Sequence, residues 1–111
     1  MATLSSHLLN SVNGTHAGGV KVIIYQINSS GNKTIFFKTE TDDGGRIIKD
    51  FELSSDDCAC EYEMVCKTAD YFSEKKVVSE IIIKFKMEDP KKKYHLPIII
   101  SPNGYSIWWS N

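Results

Sequence analysis

Long hydrophobic runs are missing from this chain. Stretches such as Ile81-Ile82-Ile83 fall far short of the roughly 20 apolar residues that a helix needs to cross a bilayer, so no membrane partner is expected. An excess of positive charge is missing too. Thirteen Lys and Arg stand against fourteen Asp and Glu, a net charge of −1, which excludes the broad positive field of a duplex-binding protein. The one basic cluster, Lys91-Lys92-Lys93, follows Asp89-Pro90 and reads as a solvated loop. The opening Met1-Ala2-Thr3-Leu4-Ser5-Ser6-His7 has neither the basic region nor the long apolar region of a secretory signal, so a cytoplasmic location is expected. The sequons starting at Asn13, Asn28 and Asn32 then mark polar turns.

Cysteine is scarce and odd in number. Cys58, Cys60 and Cys66 make a poor disulfide framework, and Cys58-Ala59-Cys60 has no second pair to complete a zinc site. They read as reduced thiols, with Cys66 in the core. There is no phosphate loop, no Gly-x-Ser-x-Gly, no His-Glu-x-x-His and no dinucleotide fingerprint, so no cofactor is expected.

What is present is strand periodicity. At 111 residues, 41% hydrophobic and 24% charged, the chain is expected to form one globular domain spanning 1–111. Ile81, Ile83, Phe85 and Met87 alternate with Ile82, Lys84, Lys86 and Glu88. Tyr62, Met64 and Cys66 alternate with Glu61, Glu63, Val65 and Lys67. Both patterns predict half-buried antiparallel strands. Residues 20–27 are β-branched or aromatic except at Lys21 and Gln26 and predict a strand buried on both faces. Turn chemistry divides the runs at Asn13-Gly14, Gly18-Gly19, Asn28 to Asn32, Asp42-Asp43-Gly44-Gly45, Ser54-Ser55-Asp56-Asp57 and Asp89-Pro90. Ser101-Pro102-Asn103-Gly104 predicts a hairpin between 94–100 and 105–109. The fold class is therefore all-β, a two-sheet sandwich of about eight strands. One short helix is expected over 68–76, with Thr68 as its N-cap and basic residues at its end.

The chemistry-bearing candidates are few. His7 shares a strand face with Ser5 and Leu9, and His95 shares one with Pro97 and Ile99. Either could be an ordinary strand histidine. Arg46 opens a strand after a Gly-Gly turn, where a solvated strand end is the plain reading. His16, in a loop between glycines, reads as exposed.

Three separated motifs carry a resemblance. Leu4-Ser5-Ser6-His7-Leu8-Leu9-Asn10 with Gly14-Thr15-His16-Ala17-Gly18-Gly19-Val20 resembles the opening of the 5-hydroxyisourate hydrolases, the transthyretin-like enzymes of urate breakdown. Thr41-Asp42-Asp43-Gly44-Gly45-Arg46 resembles their Thr-(Asp/Asn)-x-Asp-Gly-Arg segment. The block from Tyr94-His95-Leu96-Pro97 through Ser101-Pro102 to Ser106 resembles their Tyr-His-(Val/Leu)-Pro-Leu-Leu-Leu-Ser-Pro block. The match runs from residue 4 to 107. His16 stands where a proline is usual, Val77-Val78-Ser79 where Phe-Phe-Pro is usual, and Ile107-Trp108-Trp109-Ser110-Asn111 where Thr-Tyr-Arg-Gly-Ser is usual.

The resemblance implies a transthyretin-like sandwich. It implies a homotetramer with its active site in a channel between dimers. The implied reaction is hydrolysis of 5-hydroxyisourate to 2-oxo-4-hydroxy-4-carboxy-5-ureidoimidazoline, in purine degradation, without metal or cofactor. It assigns His7, Arg46 and His95 to catalysis, and Trp109 and Asn111 to substrate contact. The chemistry suits these residue types. A histidine deprotonates water near neutral pH, below about 6.5 an unshifted one is lost as a base, and an arginine fork meets a developing oxyanion. Either His7 or His95 can be the base, with the other positioning substrate or water. The altered C-terminus admits a second reading, a catalytically weakened transthyretin-like carrier whose pocket is walled by Trp108 and Trp109.

Overall fold

Side chains that alternate between a shared interior and the outside organise the chain into two packed sheets, seen in a computed structural model that describes residues 1–73 and 76–109. The strands are β1 (Ala2–Asn10), β2 (Thr15–His16), β3 (Lys21–Ile27), β4 (Lys33–Glu40), β5 (Arg46–Phe51), β6 (Glu61–Cys66), β7 (Ile81–Lys86), β8 (Lys93–Ser101) and β9 (Gly104–Ile107). One sheet runs β2-β1-β8-β9, with β5 also paired to β1; the other runs β4-β3-β6-β7. Between them lie Leu4, Leu8, Val22, Ile24, Tyr62, Met64, Ile98 and Ile100, each at 1% exposure or less. Full burial of each aliphatic side chain stabilises by about 1.5–3 kcal/mol.

The all-β sandwich and the hairpin at Ser101-Pro102-Asn103-Gly104 match the expectation from alternation, with Ser101 opposite Gly104. Three local expectations need correction. The helix over 68–76 is shorter: α2 covers Thr68–Tyr71, its N-cap is Lys67, and Thr68 lies inside it. Glu74 and Lys75 of that expectation fall outside the described residues. A second helix, α1 (Ser55–Ala59), occupies the segment read as a turn. Ser54 accepts from the Asp57 amide while the Asp57 carboxylate accepts from the Ser54 amide, a capping box that satisfies two otherwise orphaned donors.

The third correction concerns which strand is covered on both faces. In β3 only Val22 and Ile24 are fully buried, while Ile23, Tyr25 and Ile27 are half-buried on the outer side. In β6, by contrast, the outer side is buried too, at Glu63 and Val65. Strand β6 lies between β3 and β7, and Lys33 reaches over the Tyr25 ring to pair with Glu63 at 3.3 Å. A carboxylate read as solvent-facing is thus shielded by its neighbours and neutralised by a partner.

Candidate active site

The outer face of the β5-β1-β8-β9 sheet carries the candidate residues. Along β1, Ala2, Leu4, Ser6, Leu8 and Asn10 point into the core, so Ser5, His7 and Leu9 point outward. Strand β8 runs parallel to β1, with Ser5 opposite His95 and His7 opposite Pro97. Strand β5 runs antiparallel on the other side, with His7 opposite Arg46. Residues from the beginning, middle and end of the chain therefore meet on three adjacent strands. The structure brings His7, Arg46 and His95 together, as their motifs imply.

Local sequence explains the placement of Arg46. The Asp42 carboxylate accepts from the amides of Gly44 and Arg46, both at 2.9 Å, which closes the turn. Buried Thr41 ties this turn to the loop before β3. Its hydroxyl donates to the Ala17 carbonyl at 2.6 Å and accepts from the Val20 amide at 2.9 Å. Gly45, at φ +73°, lies where β5 and β2 meet along the same edge of β1. Its carbonyl accepts from the Leu8 amide at 2.7 Å. A Cβ there would sit 2.4 Å from the Leu8 carbonyl oxygen, so only glycine permits this approach.

Two further residues enter the site that the motifs did not assign. Ser5 Oγ lies 2.8 Å from His95 Nδ1, leaving Nε2 of that ring for a ligand. The signal was its place two residues before His7 on the same face. His16, read as merely exposed, does face solvent, yet its Nδ1 lies 2.8 Å from His7 Nε2 and the rings stack with centroids 4.9 Å apart. The His7 imidazole is held below its ordinary pKa, first by burial, then by the Arg46 guanidinium and by His16, with His95 a smaller cause; a backbone hydrogen bond at Gly44 opposes them. A neutral imidazole beside a fixed guanidinium can take a proton from water and stabilise an oxyanion.

Trp109 packs on Tyr94, with ring centroids 5.9 Å apart, beneath the Lys92 ammonium. Trp108, whose amide donates to the Pro97 carbonyl, continues the alternation of β9 onto the outer face. Asn111 lies outside the described residues. The cysteines are unbridged, and no cluster of three or more metal-ligating side chains occurs among the described residues. Two clefts lie elsewhere, one between β4 and β5 around Phe37 and Lys49, the other beside α1 around Gln26 and Cys60.

The family model for HIUase/Transthyretin matches residues 4–109. The chain belongs to that family. The 5-hydroxyisourate hydrolase of Halalkalibacterium halodurans is 28% identical over 112 residues, covering 95% of this chain and 94% of the relative. The structure of Klebsiella pneumoniae 5-hydroxyisourate hydrolase superposes with a TM-score of 0.77 at 25% identity, covering all of both chains. Transthyretin from Sparus aurata superposes with a TM-score of 0.84 at 22% identity, covering 96% of this chain and 95% of that one, a likeness of fold. The sandwich is thus transthyretin-like, as the motifs imply.

Proposed function

We propose that this protein is a 5-hydroxyisourate hydrolase. The observation that carries the reading is the meeting of His7, Arg46 and His95 on one open sheet face, from three motifs far apart in the chain. A histidine, His7 or His95, takes a proton from water, and the resulting hydroxide adds to the acyl carbon of the cyclic substrate. Arg46 balances the oxyanion. The C–N bond then breaks, and the proton held by the histidine passes to the departing nitrogen, giving 2-oxo-4-hydroxy-4-carboxy-5-ureidoimidazoline. Asn111 serves as a substrate contact; Trp109, assigned with it by the resemblance, packs on the core-side ring of Tyr94 and so stands off the face that carries His95.

A homotetramer in the cytoplasm completes the reading. Ile48 is 74% exposed and Trp108 46% on the face that carries the site, a surface that a second copy would cover. Such a copy supplies the opposite wall that a substrate needs, since the three residues stand on a sheet rather than in a closed cavity.

The test is to generate 5-hydroxyisourate fresh from urate and follow its decay with and without protein. Acceleration well above the spontaneous rate supports the reading. Saturable ligand binding without acceleration supports instead the weakened carrier, the alternative to which the exposed Trp108 and Trp109 lend weight.

A further inference from the structure

His16 reaches the site on a strand only two residues long. Asn13 Oδ1 accepts from both the amide and the hydroxyl of Thr15, and Gly14, at φ +73°, turns the chain back so that its amide donates to the Asn10 carbonyl. The Ala17 amide then donates to the Leu8 carbonyl at 2.9 Å. These bonds lay β2 along β1 with His16 opposite Leu9, one step along the outer face from His7. Gly45 leaves room for the start of the His16 side chain, since a Cβ there would lie 3.3 Å from His16 Cβ. An exposed loop histidine needs neither a hydrogen bond nor a stacking partner; this one has both with His7.

We propose that His16 is a positioning residue of the hydrolytic site, holding the His7 imidazole in one plane and one tautomer; this rests on His7 acting in the reaction. When both rings are neutral, only one of the two facing nitrogens carries a proton, so the bond couples the tautomer of His7 to that of His16. A backbone hydrogen bond at Gly44 is the other constraint on the His7 ring, and His16 acts beside it. Arg46 on β5 and His95 on β8 are its remaining titratable neighbours. Asp42 Oδ1 accepts from the amides of Gly44 and Arg46 rather than from His7. Among the described residues no carboxylate accepts a hydrogen bond from His7. An imidazole thus takes the orienting place that a carboxylate holds in a Ser-His-Asp triad.

The test compares wild type, His16→Ala and His16→Asn, with kcat and KM measured separately on 5-hydroxyisourate and ring ¹⁵N spectra of His7 recorded without substrate. His16→Ala should lower kcat by about tenfold with little change in KM, the scale of a misplaced base. Its His7 ring should show mixed tautomers where wild type shows one. His16→Asn, whose amide stands near the former Nδ1, should recover most of kcat. Wild-type melting temperatures in both variants, expected for an exposed residue, separate these losses from unfolding. An active wild type whose kcat and His7 spectrum are unchanged in His16→Ala overturns the proposal. An inactive wild type overturns the proposed function instead, and the spectra then decide separately whether His16 fixes the His7 tautomer.

Discussion

Ser5 and His95 stand opposite each other on parallel neighbours β1 and β8, with Ser5 Oγ 2.8 Å from His95 Nδ1. The hydroxyl holds Nδ1 and so the plane of the His95 ring, and leaves Nε2 for a ligand. Ser5→Ala should lower kcat several-fold, while Ser5→Thr, which keeps a hydroxyl, should lose less. Stability should change by no more than about 1 kcal/mol, the net value of one part-buried hydrogen bond. Steady-state kinetics beside urea melts check both; a Ser5→Ala enzyme with unchanged kcat contradicts the orienting role.

The His7 ring has a lowered pKa, so it stays neutral to a lower pH than the ordinary 6.5. If His7 is the base, the acid limb of the pH–rate profile lies below 6.5, rather than at the value expected of an unshifted histidine. The same shift acts on folding. The unfolded chain binds this proton more readily than the folded one, so the contribution of His7 to stability is complete above 6.5 and is lost as pH falls through the lowered folded value. Burial is the first cause and the Arg46 charge the second. NMR titration should therefore find the His7 pKa higher in Arg46→Gln than in wild type; a fall would contradict the electrostatic account.

Gly14 and Gly45 share a φ of +73° but differ in what a side chain would meet. At Gly14 a Cβ touches nothing within 4 Å, so Gly14→Ala should cost only the backbone strain, about 1 kcal/mol. At Gly45 the Cβ would lie 2.4 Å from the Leu8 carbonyl oxygen and 3.0 Å from the Ala17 nitrogen. Gly45→Ala should cost clearly more, about 3 kcal/mol or above, and should reduce activity by displacing Arg46 and His16. Equal losses in urea melts of the two variants would show that the junction of β5 with β2 tolerates movement.

The three thiols should react in order of exposure. Cys58 is half-buried and should alkylate first. Cys60 is buried at the end of α1, donates to the Asp56 carbonyl, and has its pKa raised by burial and then by Asp57 and Asp56. Cys66 is fully buried and its thiol is pushed up to about 12, so it should react only on unfolding. Timed iodoacetamide labelling read by mass spectrometry gives the order. Early labelling of Cys66, a disulfide, or stoichiometric zinc in the purified protein would contradict this.

Alternation made the faces of the strands legible but not their neighbours. Ser5, His7 and Leu9 could be placed together because a strand repeats every two residues. That β1 lies beside β8 could not, because the pairing joins segments 90 residues apart and nothing local encodes it. The motifs supplied what periodicity lacked, since Arg46 and His95 were grouped with His7 only through them. His16 escaped because two residues of β2 are too few to show a period. The α1 capping box was visible as Ser54 and Asp57, yet five helical residues carry no amphipathic pattern, and a turn was the reading. Glu63 misled for another reason: its burial depends on Lys33, which arrives from a different strand.

The most direct measurement of the central claim is kcat/KM on 5-hydroxyisourate for His7→Ala, Arg46→Ala and His95→Ala against wild type. Each variant should fall by about a hundredfold or more, the scale for losing a general base or a transition-state charge donor, with the far-ultraviolet spectrum of the sandwich unchanged. Variants of His7 and His95 that each keep wild-type kcat/KM would contradict the site described here, even in a protein that speeds the decay of its substrate.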